Sequence, residues 1–164
     1  MKKRIILIGM PGCGKTTIGR ILSNELNLKF YDMDDYIQDI TGKTIMQLFE
    51  KGEDNFRDIE TQACRELIKK ENVLISTGGG VIKRRENIDI LRDDSIIIFL
   101  DRPVEKIIGD VDVSKRPLLK DGKEKVLVLY KERYDIYRES ADKIVVNDNT
   151  IDDVISKIKE IVNS

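Results

Sequence analysis

The sequence predicts a three-layer α/β/α fold, a parallel sheet with helices on both faces. Two observations carry this. Short apolar runs alternate with amphipathic stretches about five times over the 164 residues, the rhythm of strands joined by right-handed helical crossovers. Loops at Gly9, Asp32 and Gly78 each follow an apolar run. In open α/β sheets such loops gather at the carboxyl ends of the strands, where ligands bind.

Arg4–Ile8 reads as a buried strand, followed by a glycine-rich loop at 9–14. Thr17 to Leu26 reads as a helix, with Ile18, Ile21, Leu22 and Leu26 on one face. Leu28 to Tyr31 is a second strand that runs into Asp32, Asp34 and Asp35. Tyr36, Ile37 and Ile40 give a helical stripe that stops near Gly42. Residues 44–50 form a short helix, with a capping-box pattern at Thr44 and Gln47 and a stop at Gly52. Residues 53–70 form a long helix that aligns Phe56, Ile59, Ala63 and Leu67. Val73–Ser76 is a third strand, and Ser95 to Leu100, apolar throughout, reads as a central one. A short helix at 103–108 precedes a polar, irregular segment at 109–122, the best candidate for a mobile segment. A helix over 123–137, a strand over 143–146 and a last helix capped by Thr150 complete one domain without repeats or linkers.

Composition narrows the function. Lys plus Arg is 29 and Asp plus Glu is 30, a net charge of -1, which argues against nucleic-acid binding by bulk charge. No histidine is present, so proton transfer falls to carboxylates, lysine or water. The two cysteines, Cys13 and Cys64, suggest no disulfide framework. The apolar run at Ile96–Leu100 is too short to span a bilayer, and the basic N-terminus leads into Gly9, Pro11 and Gly12 rather than a signal core. The expectation is a cytoplasmic protein with no membrane partner.

Gly9-Met10-Pro11-Gly12-Cys13-Gly14-Lys15-Thr16 matches the phosphate-binding pattern GxxxxGK(S/T) in full, between an apolar strand and an amphipathic helix. Glycines let backbone N–H groups converge on phosphate oxygens, and the helix start adds positive potential. Lys15 is placed to reach the β and γ phosphates of a nucleotide and Thr16 to offer its hydroxyl to Mg2+. Cys13 sits among these amides, as a small filler or as a thiol activated near Lys15.

The acceptor side is more open. Asp32 and Asp34 face one side if the strand persists, one for a metal-bound water and one for the acceptor hydroxyl; alternatively they cap the next helix. Glu53, Arg57 and Glu60 are spaced as a surface ion-pair ladder, although arginine is also the side chain that grips a carboxylate. Arg133 and Arg138 carry the same ambiguity. Gly78-Gly79-Gly80 after a strand suggests close approach of a ligand to the backbone.

Together these residues resemble shikimate kinase. Phe30-Tyr31-Asp32-Met33-Asp34, Thr44-Ile45 to Phe49, Gly52-Glu53, Phe56-Arg57, Glu60, Thr77-Gly78-Gly79-Gly80-Val81, Arg116-Pro117-Leu118-Leu119 and Arg133 with Tyr137-Arg138 occur in the order of that family's motifs. The resemblance implies a P-loop kinase fold of the nucleoside-monophosphate-kinase type, with a five-stranded sheet of order 2-3-1-4-5. It implies phosphoryl transfer from MgATP to the 3-hydroxyl of shikimate, in the chorismate route to aromatic amino acids. Asp34 would bind the ring hydroxyls and act as base. Arg57 and Arg133 would grip the carboxylate, and Gly78, Gly79 and Gly80 would line the shikimate site. Gly12, Cys13, Gly14, Lys15, Thr16, Thr17 and Arg116 would bind ATP. Lys15 and Arg116 would stabilise the transferring group, with Thr16 and, through water, Asp32 on Mg2+. The substrate region would span about residues 32–61 and the lid about 109–122. ATP and shikimate are the expected partners of a monomeric chain. Where relatives often carry an adenine-stacking arginine before the lid, this chain has Gly109 among Asp110 and Asp112, which leaves the adenine contact unassigned.

Two alternatives remain. A small P-loop kinase for gluconate or a nucleoside monophosphate would share the fold, but not the need for Asp34, Arg57, Gly79 and Arg133. A nucleotide-binding module without kinase activity has only Gly109 and the acidic stretch in its favour.

Overall fold

The computed structural model describes residues 4–110 and 119–164. Five strands form one parallel sheet. β1 (Arg4–Ile8) lies in the middle, β3 (Val73–Ser76) and β4 (Ser95–Asp101) flank it, and β2 (Lys29–Asp32) and β5 (Lys143–Val146) form the edges. The order is β2-β3-β1-β4-β5, as the resemblance implies. β1 and β3 are buried at every residue, whereas both edge strands begin exposed. Uninterrupted apolar sequence thus goes to the strands covered on both faces. Ser95–Asp101 is an inner strand beside the middle one.

Residue parity shows that helices cover both faces. Gly19 of α1 (Lys15–Glu25) lies against Leu7, Phe30 and Leu74, so close that a Cβ there would sit 2.7 Å from the Phe30 ring. Ile98 pairs with Leu7 and shares that face, so its neighbour Phe99 points the other way. There Phe99 stacks on Tyr137 and meets Tyr134, both from α7 (Leu119–Ser140). α8 (Ile151–Asn163) packs on β5 and against α1.

The remaining helices are α2 (Met33–Thr41), α3 (Ile45–Glu50), α4 (Glu53–Leu67), α5 (Arg85–Leu91) and α6 (Val104–Gly109). Thr44 and Gln47 form the expected reciprocal capping box on α3, and Thr150 caps α8.

The structure changes three expectations. β2 ends at Asp32 and the chain turns at once into α2, so Asp34 is helical. α7 starts at Leu119 and continues through Gly122 to Ser140. A 3-10 turn at Val81–Lys83 and helix α5 follow the glycine loop, a stretch in which the sequence suggested no element. The lid assigned to 109–122 falls largely on residues 111–118, which lie outside the described residues, as does Arg116. No helix among the described residues is long and apolar enough to cross a membrane.

Register positions the site. Leu7 and Asp32 both pair with Ser76, and Ile8 pairs with Phe99. The carboxyl ends of β1, β2 and β3 are therefore level, and the loops at 9–14, 32–34 and 77–80 open at one edge of the sheet.

Candidate active site

Gly12, Gly14, Lys15, Thr16, Thr17, Asp32, Asp34, Gly78 and Gly79 line one cavity of about 480 Å3, together with Pro11, Thr77 and Arg102. Cys13 is buried beneath the loop. Arg57, Gly80 and Arg133 do not line this cavity; they stand against the acidic and glycine-bearing part of its wall.

The phosphate loop has the geometry its sequence requires. Gly12 and Gly14 adopt φ of +83° and +101°, a region that side-chain-bearing residues disfavour. The start of α1 has no side-chain cap and no acidic residue in its first turn, so its leading N–H groups stay available to an anion. The Lys15 ammonium is buried within the loop and donates to the carbonyls of Gly9 (2.8 Å) and Met10 (3.0 Å). It also lies 3.6 Å from Cys13 Sγ. A Cβ on Gly9 would meet that sulfur at 2.7 Å, which shows Cys13 closely filling the loop interior.

Asp32 does both things the sequence left open. Its Oδ1 accepts from the Asp35 N–H (3.1 Å) and caps α2, while its Oδ2 accepts from Thr16 Oγ1 (2.9 Å). The start of α2 is thereby tied to the phosphate loop. Asp34, one residue into the helix, is partly buried. Burial pushes its carboxyl above the ordinary range, the negative charge of Asp32 adds to this, and Lys15 opposes it.

Beside Asp34 stands Glu60, which is fully buried. A Cβ on Gly78 would sit 3.1 Å from Asp34 Oδ1 and 3.3 Å from Glu60 Oε2, so both carboxylates crowd that glycine. Glu60 Oε1 accepts from Arg57 Nη1 (2.9 Å), whereas Oε2 has no hydrogen-bond partner among the described residues. Burial raises the Glu60 carboxyl, and the charge and hydrogen bond of Arg57 pull it back. The spacing of Glu53, Arg57 and Glu60 is thus no solvated ladder, because Arg57 is itself buried and lies 5.2 Å from the Phe56 ring centroid. Such a pair is costly to break, since removal of one partner strands the other charge.

The three glycines answer to protein atoms. Gly78 yields to the two carboxylates, Gly79 to Pro11 Cδ (2.7 Å from a virtual Cβ) and Gly80 to Arg57 Nη2 (2.4 Å). Sequence reasoning expected a ligand to approach this backbone; in the structure the arginine clamp and the phosphate loop also press on it, while Gly78 and Gly79 line the cavity. The N–H groups of Gly78, Gly79 and Gly80 have no acceptor among the described residues.

Arg133 projects from α7 into the same neighbourhood, where its charge acts on Glu60 and on Tyr137. Tyr137 is buried, and its hydroxyl donates to the Gly79 carbonyl. Burial raises the phenol to about 12, against the pull of Arg133. Sequence reasoning missed the structural parts of Tyr137 and of Arg102. Tyr137 stands in the arginine segment that carries the resemblance, one turn after Arg133, but nothing in the sequence signals its hydrogen bond to Gly79. Arg102 follows a strand end directly, a position that itself points to a ligand edge.

A phosphate loop that meets buried carboxylates and arginines across one sheet edge defines a class: an ATP-dependent P-loop kinase for a small acceptor. A family model for shikimate kinase matches residues 11–163. A shikimate kinase of Clostridium botulinum (strain Alaska E43 / Type E3) is 62% identical over 162 residues, 99% of this chain and 98% of that protein. One of Clostridium beijerinckii is 59% identical over 162 residues, 99% of this chain and 96% of that protein. The solved structure of shikimate kinase from Acinetobacter baumannii in complex with shikimate matches with a TM-score of 0.88 at 35% identity, covering 99% of this chain and 93% of that one. The chain belongs to the shikimate kinase family.

Proposed function

We infer that the protein transfers the γ-phosphoryl group of ATP to the 3-hydroxyl of shikimate, giving ADP and shikimate 3-phosphate for the chorismate route. The observation that carries this reading is Asp34, with Glu60 and Arg57 at its back, facing the phosphate loop across one cavity. That arrangement suits a hydroxyl acceptor that also bears a carboxylate.

In this reading Arg57 and Arg133 hold the substrate carboxylate, and Gly78, Gly79 and Gly80 offer backbone N–H groups and close walls. Asp34 orients the ring hydroxyls. The 3-hydroxyl oxygen attacks the γ-phosphorus, the bond to the β–γ bridging oxygen breaks, and ADP leaves. The hydroxyl proton passes to Asp34, whose raised affinity for protons suits that role. The transition state of phosphoryl transfer is loose, so positioning and charge matter more than a strong base. Lys15 supplies charge at the phosphates, Gly12 to Thr17 cradle them, and Arg116 is assigned to the transferring group.

Thr16 and Asp32 offer only oxygen donors, 2.9 Å apart, at the mouth of the phosphate loop. That donor set fits Mg2+, which keeps most of its waters and takes few protein ligands. Thr16 would bind it directly and Asp32 through water, and the ion would neutralise phosphate charge. The reading extends to a single kinase domain, with a substrate region at about 32–61 and a lid at about 109–122. It describes a cytoplasmic monomer with no nucleic-acid or membrane partner, in keeping with a net charge of -1.

The test is ADP release from MgATP with shikimate, gluconate and AMP offered separately. Release with shikimate alone supports the assignment. Release with another acceptor would replace the substrate, and none with any acceptor would leave a nucleotide-binding module.

A further inference from the structure

Lys83 stands on a fixed piece of backbone. Its N–H donates to the Gly80 carbonyl (3.0 Å) and closes the 3-10 turn that follows the glycine loop. Asn87 pins that turn to α4, donating to the Val81 carbonyl (3.0 Å) and accepting from the Thr61 hydroxyl (2.7 Å). From this base the Lys83 ammonium crosses to Glu53, in the first turn of α4, and pairs with its Oε1. The glycine loop and α4, two walls of the acceptor side, are thus joined at their rim.

Glu53 Oε1 is shared. The same oxygen accepts from Arg57 Nε at 3.3 Å, which is long for a charged pair. Lys83 is the stronger partner. Its hydrogen bond is the first cause that holds the Glu53 carboxyl below the ordinary range, ahead of Arg57. Arg57 is otherwise bound at Nη1, by Glu60 (2.9 Å), and its Nη2 makes no hydrogen bond among the described residues. Nε and Nη2 form one edge of the guanidinium, and a carboxylate can take such an edge with two parallel hydrogen bonds. Glu53 occupies half of that edge, and weakly. Freed from Lys83, its carboxylate would turn onto both nitrogens. Arg57 would then be neutralised by Glu53 and Glu60, with its Nη2 closed to an incoming anion.

We propose that Lys83 is a positioning residue for acceptor binding: by holding Glu53 at the rim, it keeps the Nη2 edge of Arg57 open to the carboxylate of the substrate. The proposal rests on the reading that Arg57 grips this carboxylate. The Lys83–Glu53 pair is half exposed, with 42% and 47% of the two side chains accessible, so its loss acts modestly.

The experiment is steady-state kinetics with MgATP and shikimate on the full chain and on its Lys83→Met, Lys83→Arg, Glu53→Gln and combined Lys83→Met/Glu53→Gln variants. Lys83→Met should raise the KM for shikimate about threefold, the scale of one rim ion pair. The kcat and the KM for ATP should stay unchanged, the pattern of weakened acceptor binding alone. Lys83→Arg keeps the charge and should behave like the parent. In the Glu53→Gln background no carboxylate is left to close the edge, so Lys83→Met should add nothing. A parental KM in Lys83→Met overturns the proposal. So does an equal rise in the Glu53→Gln background, which would make the ammonium act on the substrate directly, and so does a Lys83→Arg protein as impaired as Lys83→Met. A parent chain that turns over no shikimate would overturn the acceptor reading itself, and the proposal with it.

Discussion

Gly80→Ala isolates one contact in the acceptor site. Gly80 has ordinary backbone angles, φ -95° and ψ 8°, so alanine brings no backbone strain. Its methyl group would instead stand 2.4 Å, 2.5 Å and 2.7 Å from Nη2, Nη1 and Cζ of Arg57. The guanidinium must move, and with it the 2.9 Å bond to the buried Glu60. Removal of one partner of a buried ion pair costs about 3–5 kcal/mol; Arg57 is displaced rather than removed, so the lower figure applies. Alanine returns about 0.5 kcal/mol by restricting the unfolded chain. The net loss is about 2.5 kcal/mol, which for a chain of this size lowers Tm by about 7 °C. Thermal unfolding measures the first effect, and the KM for shikimate, expected to rise with the displaced arginine, measures the second. Gly109→Ala is the control, because a Cβ there meets nothing within 4 Å, and it should be neutral or slightly stabilising. A Gly80→Ala protein with parental Tm and parental KM would refute the link between the glycine loop and Arg57.

Three further outcomes are expected. Tyr137→Phe removes the donor to the Gly79 carbonyl and should cost about 1 kcal/mol in urea unfolding, with a higher KM for shikimate; loss of stability with unaltered KM would confine Tyr137 to packing. Asp34 and Glu60 hold protons more tightly folded than unfolded, so their contribution to stability is full at low pH and is lost as pH rises through their raised values; Asp34→Asn should flatten that decline above the ordinary carboxylate range, and identical urea-derived slopes would contradict it. Arg133→Ala should raise the KM for shikimate and leave ATP affinity unchanged, and a parental KM would place the substrate carboxylate elsewhere.

Local signals made much of this legible. The strands Arg4–Ile8, Val73–Ser76 and Lys143–Val146 and the phosphate loop need only nearby residues to specify them. α5 was hidden because Asn87 occupies a fully buried position in it, bonded to Thr61 (2.7 Å) and to the Val81 carbonyl (3.0 Å). A buried amide breaks the apolar stripe by which a helix is read. The first turn of α7 was hidden because Gly122, a poor helix former, lies inside it. The sheet order was implied by the family resemblance, not by periodicity. Burial of Arg57 and Glu60 could not be read from their spacing, which an exposed ladder shares.

The contact between Gly79 and Pro11 gives these separate features a common consequence. A Cβ on Gly79 would overlap Pro11 Cδ at 2.7 Å, so the glycine loop at 78–80 rests directly on the phosphate loop. Gly79 is also held by the Tyr137 hydroxyl, and Tyr137 sits one helical turn after Arg133. Thr16 and Asp32 make a second tie between the two sides. Because β1, β2 and β3 end level, these ties need bridge only side chains, not gaps between strands. On the proposed assignment of the acceptor to Asp34, the distance between phosphoryl donor and acceptor is set by these ties, which is what a reaction governed by positioning and charge requires. A substitution that loosens Gly79 should therefore lower turnover even where each substrate still binds.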